Sequence, residues 1–539
     1  MKKLIPVFLT LIVTLLMVSC PLTDSDPEPD PVPMDSKAID FGGAASKTIN
    51  LSGLAAGKKI YLVTVNTGAY SVSGGSIGGA APSIYGEFSG SEIGLSDPGS
   101  LLDGGAVPPG HHPGAVAFNA NPPPITPEML QNRALSFSAS VAPYTVGSTK
   151  NFWVESSFGN ETFVSKQATL RAQGTHSNIW VIESWGTALT NTTTQAQALA
   201  AKFDAIYPLE TKVLGYEYGG GGSGGGKDGD DRVQILVYDF YGISGGSGNT
   251  AGFYWSKDFY TQAQLNSSGS TYKTNEAEIF YISANYLNTS PDFIYSTLVH
   301  EFQHMINFNV KTVQKSKNSE AWYNEMLSMM AEDMISPQIG IGPANWGHPT
   351  PSRIDGFLTS YANEGVARWQ GTTSDPGDSL ESYSYKYAFG AYLVRNYGGA
   401  ELLKNILANS SVNIPSIVAA LQQTTGNMRI DFNYTLERFA EAFIYSNPAD
   451  GATFNQTVAE TIGGTTYTFA GFDIWKGSGN SFYSGWQTGP HIYTLTSHPA
   501  MQPYSVFVQS AGDWVTGTKT SVTLNRPAAS GVKLYLMTR

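Results

Sequence analysis

Three side chains in one short run could do metal chemistry: His300, Glu301 and His304, in Val-His-Glu-Phe-Gln-His-Met. On a helix, imidazoles four residues apart sit one turn apart on one face, so both can point at a single cation. The glutamate between them lies beside that face, where it can act as a base toward a water molecule. The helix is signalled on its own account. Ser290 can cap it and Pro291 suits its first position, while Phe293, Ile294, Leu298, Phe302, Met305 and Ile306 recur at helical spacing. A plain surface cluster fits less well, because apolar residues on both sides bury the run and a buried ionisable trio needs a partner.

A working zinc site takes three protein ligands and leaves one position open. The third ligand is expected from a second helix, capped by Asn318 or Ser319 and running to about Ile335, ahead of Pro337. Glu325 on that helix lies 21 residues after His304, room for a helix end, a loop and an antiparallel return. Glu332 follows two turns later on the same face and could hydrogen-bond a ligating histidine, fixing its tautomer. The metzincin pattern is excluded, since its Gly and His positions hold Asn307 and Val310.

The stretch His-Glu-Phe-Gln-His-Met-Ile-Asn-Phe, with the later Trp-Tyr-Asn-Glu-Met-Leu-Ser, resembles the gluzincin metallopeptidases, closest to the hyicolysin-type neutral metallopeptidases of bacteria. Ala251 to Asp258 and Asn275 to Ile282 resemble the segments that precede the zinc helix in that group. The resemblance covers roughly residues 150 to 450. It implies a zincin-like domain, one zinc ion on His300, His304 and Glu325, and Glu301 as base. It also implies that the strand Glu278 to Ser283 forms the sheet edge over the cleft, where an extended peptide can pair. A tyrosine nine residues before a Tyr-Leu pair picks out Tyr383 as donor to the developing oxyanion, with Tyr387 as the fallback. The sequence departs from the best-known gluzincins at Met329, which stands where an Asp would follow Glu325 by four.

The remaining chain bounds the reading. It has 539 residues, too many for one core, a formal net charge of −12 and only 14% charged residues. An acidic chain without a basic stripe argues against nucleic acid as a partner. One cysteine permits no intramolecular disulfide. Residues 1–20 read as a secretory leader, with Lys2-Lys3, an apolar run and Leu16-Met17-Val18-Ser19-Cys20, which resembles a bacterial lipobox. Cys20 is the expected lipidation site, and residues 21–36, rich in Pro and Asp, the tether that holds an extracytoplasmic body off a membrane.

Residues 37–149 read as a β-rich unit, either an accessory binding module or an inhibitory pro-segment, with His111-His112 as an unremarkable loop pair. Residues 150–450 carry strands at Phe152 to Val154, Asn178 to Ile182 and Val233 to Tyr238, and a helix from Thr193 to Ile206. The Gly-rich run from Gly219 to Gly229 lacks the Lys-Ser/Thr ending of a phosphate loop. Asp228, Asp230 and Asp231 are compatible with Ca2+, but a calcium-loop pattern is absent and a hairpin loop fits better. His348 is a spare ligand candidate on a loop. Residues 451–539 turn β-rich again, at the spacing of a small sandwich. The expectation is an α+β protein, with a zincin-like catalytic domain between N- and C-terminal β-rich domains, that hydrolyses protein or peptide substrates. The alternative is a catalytically silent surface binding or adhesion protein on the same scaffold.

Overall fold

Strands covered on both faces read as near-continuous apolar runs, and two interior strands of the central sheet, Val233–Tyr238 and Ile279–Ser283, come close to that. A computed structural model describes residues 38–50, 58–73, 112–131, 144–222, 225–241, 250–371, 378–479, 485–493, 500–513 and 521–539. The expected leader, Cys20 and the tether lie outside the described residues.

Two strands, β1 (Ser46–Asn50) and β2 (Lys59–Asn66), precede a short helix α1 (Pro113–Ala120). The central sheet then forms from β3 (Thr149–Glu155), β4 (Phe163–Gln173), β5 (Ser177–Val181), β6 (Val233–Tyr238), β7 (Gly252–Tyr254) and β8 (Ile279–Ser283). Its strand order is β3-β4-β5-β6-β8-β7, with β5, β6 and β8 parallel and the outer pairings antiparallel. Every residue of β6 and β8 is buried. Helix α2 (Thr192–Leu214) makes the crossover from β5 to β6. It runs beyond Ile206 and through Pro208, because Glu210, Val213 and Leu214 are buried by their neighbours and tertiary packing overrides the local break.

The edge of the sheet differs from the expectation. The strand at 279–283 is interior, paired on both sides, and the short β7 is the edge. With β7 at only three residues, the apolar character of β8 is that of a covered strand.

Beyond β8 the chain is helical: α3 (Pro291–Asn307), α4 (Ala321–Ile335), α5 (Pro349–Ser360), α6 (Ser379–Asn396), α7 (Gly399–Ala408), α8 (Asn413–Thr425) and α9 (Phe432–Ala442). Ser290 takes the cap position of α3 without a side-chain cap bond. Glu320, rather than Asn318 or Ser319, precedes α4. Ser319 instead accepts from Asn307 Nδ2 at 3.1 Å, tying the two helices near the turn between them. One large core joins these helices to one sheet face, and a smaller aromatic layer of Phe152, Trp180, Phe253, Trp255 and Tyr281 lies on the other.

The flanking segments meet. After a hairpin of β9 (Val458–Ile462) and β10 (Thr465–Phe469), strands β11 (Ser505–Asp513) and β13 (Val532–Thr538) pair on either side of β2, and β12 (Ser521–Asn525) pairs with β1. The N- and C-terminal β segments therefore share sheets, where the sequence reading placed them in two separate units. Pairing so distant in sequence leaves no local trace.

Candidate metal centre

Helix α3 is buried along almost its whole length, and α4 packs beside it with Trp322, Met326, Met329 and Met330 inward. Gly252 lets the edge strand lie directly on α3: a side chain there would come within 2.6 Å of Thr297 Cγ2 and 2.9 Å of Tyr281 O. These contacts fix three elements around one cleft.

Into it project His300, His304 and Glu325, whose ligand atoms all lie within 4.8 Å of one another. No other group of three or more His, Cys, Asp or Glu among the described residues does the same. His300 Nε2 is 3.0 Å and His304 Nε2 3.5 Å from Glu325 Oε2. The far nitrogens are tied off. His300 Nδ1 lies 2.7 Å from Glu332 Oε1, a carboxylate that can only accept, so Nδ1 donates there and Nε2 is the ring atom turned toward Glu325. His304 Nδ1 lies 3.0 Å from Ser328 Oγ, whose own hydrogen goes to Gln303 Oε1, so Ser328 accepts from the ring and Nε2 is again the atom turned toward Glu325. Two imidazole Nε2 atoms and one carboxylate oxygen converging on one point form a donor set that fits a zinc-type ion. Burial alone would raise the Glu325 carboxyl, but His304 and His300 hold it well below the ordinary range.

Glu301 is buried beside this trio. Burial raises its pKa, and the two imidazoles together with the backbone N–H of Tyr254 at the sheet edge pull it part of the way back. Tyr383 on α6 comes from the other wall, its ring 6.3 Å from that of His300, centroid to centroid. Burial and the charge of Glu325 push its hydroxyl well above the ordinary value, while Arg353 draws it down. The Arg353 guanidinium lies 4.5 Å from the Tyr383 ring centre, and both side chains line the cleft with Glu301.

The other residues singled out fall elsewhere. Tyr387 points into a buried network, its hydroxyl bonded to Thr350 and, at 3.0 Å, to Asp333, which Arg395 pairs at 2.8 Å. His348 is the cap of α5, accepting from the Thr350 N–H at 3.2 Å. Asp228, Asp230 and Asp231 each accept a local backbone N–H, from Asp230, Arg232 and Gly225 respectively, and are not gathered into one ligand group. His112, read as a bland loop residue, is 1% exposed and lies 2.7 Å from Glu155, an acid too distant in sequence to be noticed. His111 lies outside the described residues.

Sequence reasoning missed Ser328 and Arg353. Ser328 could have been found, since it stands one turn after Glu325 on the same helix face. Arg353 had no signal, because its helix opens with two prolines and its apolar positions are few.

The residues 159–459 match the model of the peptidase M30 family. The chain is also 27% identical over 293 residues to the neutral metalloprotease ShpI of Staphylococcus hyicus, a match covering 50% of this chain and 58% of that protein. The chain thus spans little more than half the length of this relative. With more than half of its own residues taken in by the family match, and with the convergent His-His-Glu centre inside that stretch, the chain belongs to the peptidase M30 family.

Proposed function

We propose that this chain hydrolyses peptide bonds in proteins or peptides, with one zinc ion held by His300 Nε2, His304 Nε2 and a Glu325 oxygen. The observation that carries this reading is the convergence of those three atoms, with Glu332 and Ser328 fixing both rings from behind. Zinc bound there supplies Lewis-acid polarisation of the scissile carbonyl and lowers the pKa of water.

The rest is done by the chain. Glu301, made more basic by burial, takes the proton of the attacking water and then delivers it to the leaving amine. Tyr383 is placed to donate its hydroxyl hydrogen to the carbonyl oxygen as negative charge builds there. Arg353, stacked on that ring, holds it in place and adds positive charge to the same wall. An extended substrate would pair with the main chain of β7, which gives binding that tolerates many sequences.

The test is Glu301→Gln, which should retain zinc at wild-type stoichiometry and lose casein cleavage by at least about a thousandfold. Full activity in that variant would overturn the mechanism. Metal retained with no turnover by the wild type on any peptide library would favour the binding-protein alternative.

The leader and the Cys20 context support a lipid-anchored, extracytoplasmic placement. Among the described residues no helix is long and apolar enough to cross a membrane. Cys20→Ser should move the protein from the membrane fraction to the soluble fraction, and an unchanged partition counts against the anchor.

A further inference from the structure

The sheet edge nearest the metal centre is already occupied. Helix α1, which comes from ahead of the family-matched residues, lies along it. Asn119 Nδ2 donates to Tyr254 O at 2.8 Å, and Asn119 Oδ1 accepts from the Ser256 N–H at 2.8 Å. Donating to residue 254 and accepting from residue 256 is the pair of bonds that one residue of an added parallel strand would make. The N–H of Tyr254, meanwhile, faces Glu301. One backbone residue is thus shared between the base and the helix.

The same helix closes the cleft. Ala115, Val116, Asn119 and Ala120 line it together with Glu301 and Tyr383. Under this cover His304 is 6% and Glu301 5% exposed, too enclosed for a polypeptide to reach them.

The helix is clasped at both ends. Before it, His112 caps α1 by accepting from the Ala115 N–H at 3.1 Å and pairs with Glu155 at 2.7 Å. Glu155 in turn takes the N–H groups of Gly159 and Glu161, both at 2.8 Å, and the His112 ring packs against Phe158, Phe253 and Trp255. After it, the Tyr260 hydroxyl donates to Pro123 O at 2.6 Å. Phe118 also packs on Tyr260 and Tyr272, but the bonds that hold α1 to the strand edge itself are polar and directional, and a substrate's main chain can replace them.

We propose that α1 is an autoinhibitory plug: Asn119 stands in for the main chain of a substrate residue at β7, and α1 must leave the edge before a protein substrate can enter. This rests on the peptidase reading above and names how the same site is kept closed. The His112–Glu155 pair is the clasp that sets how often it opens.

The test uses the full-length chain in the Glu301→Gln background and reads binding of labelled β-casein by fluorescence anisotropy, so that turnover does not enter. Asn119→Ala, which frees the edge, should bind on the order of tenfold more tightly, the change for two hydrogen bonds of ordinary net strength. Glu155→Gln, which loosens the clasp and leaves Asn119 intact, should shift binding the same way. Hydrogen exchange at the Ser256 amide should speed up in Asn119→Ala and slow again when casein is added. Equal or weaker casein binding in both variants, with melting temperatures near that of the parent, overturns the plug and makes α1 a permanent wall. That outcome leaves zinc-dependent casein cleavage by the wild type untouched, whereas loss of the peptidase reading would show in cleavage alone.

Discussion

Glu332 and His300 are joined across two helices, Oε1 to Nδ1 at 2.7 Å, and Ser296 donates to the other Glu332 oxygen at 2.7 Å. The carboxylate is thereby oriented from α3 while it orients a ring of α3, so the pair is held without freedom on either side. Removing such a partner from a ligating histidine typically costs about 10–100-fold in metal affinity. Glu332→Ala should therefore weaken zinc binding by about that factor in a chelator competition. Ser296→Ala keeps the His300 partner and should weaken it less. Equal zinc affinity in Glu332→Ala and wild type would show that His300 does not depend on this contact.

Tyr383 and Tyr387 sit one turn apart on α6 yet face different surroundings, so the two Phe substitutions separate their roles. Tyr383→Phe leaves the ring beneath Arg353 and removes only the hydroxyl. Its kcat should fall by about 100-fold or more with KM nearly unchanged, as for loss of a donor used mainly in the transition state. Tyr387→Phe removes a bond to buried Asp333, so it should cost roughly 1–3 kcal/mol of stability while kcat stays close to wild type. A larger kcat loss in Tyr387→Phe than in Tyr383→Phe would reverse the assignment.

Gly252 is where the edge strand touches the helix that carries both histidines. Thr297, the first atom a side chain would meet, is itself held by its hydroxyl's bond to Phe293 O at 2.9 Å, and the second, Tyr281 O, is backbone. Gly252→Ala should destabilise by about 1–3 kcal/mol, the usual cost of overpacking. It should also lower kcat/KM, because Tyr254 moves with the strand and its N–H faces Glu301. Thr297→Ser deletes the obstructing methyl and should recover part of the stability in the double variant. Additive losses would mean that the contact is not the cause.

What could be read in the sequence was whatever depends on near neighbours. His300 and His304 are set by one helix turn, and Glu325 and Glu332 by two, so a 3.6-residue period already places each pair on one face. The segments of β6 and β8 read as strands for the same reason. Position across the sheet had no such signal. Whether 279–283 is edge or interior depends on where Gly252–Tyr254 pairs, and that is decided by packing on α3 rather than by composition. The joining of β2 to β11 and β13 depends on residues more than four hundred positions apart. His112 was misjudged on the same ground: its acid, Glu155, is brought to it only by the fold.

Glu278 offers a pH test of the fold itself. It lies just ahead of β8 under the glycine-rich loop, and Gly226 is so close that a side chain there would stand 1.5 Å from Oε2, so the loop backbone covers the carboxyl. Oε2 accepts the Lys227 N–H at 2.7 Å, while Oε1 is buried without a hydrogen-bond partner. Burial, then the charges of Asp228 and Glu217, push its pKa from 4.5 up to about 8. Because the folded value is raised, the native state holds a proton that the unfolded chain releases. The stabilisation is fully present below about pH 4.5 and is lost progressively as pH climbs to about 8. Each unit of such a shift is worth ~1.4 kcal/mol, so the effect on melting should be several degrees. Glu278→Gln keeps the shape and carries no titrating proton. Its melting temperature, taken relative to wild type, should therefore rise from pH 5 to pH 9, with most of the gain between pH 6 and pH 8. A difference that stays flat across that range, or falls, would mean that Glu278 is charged in the folded protein.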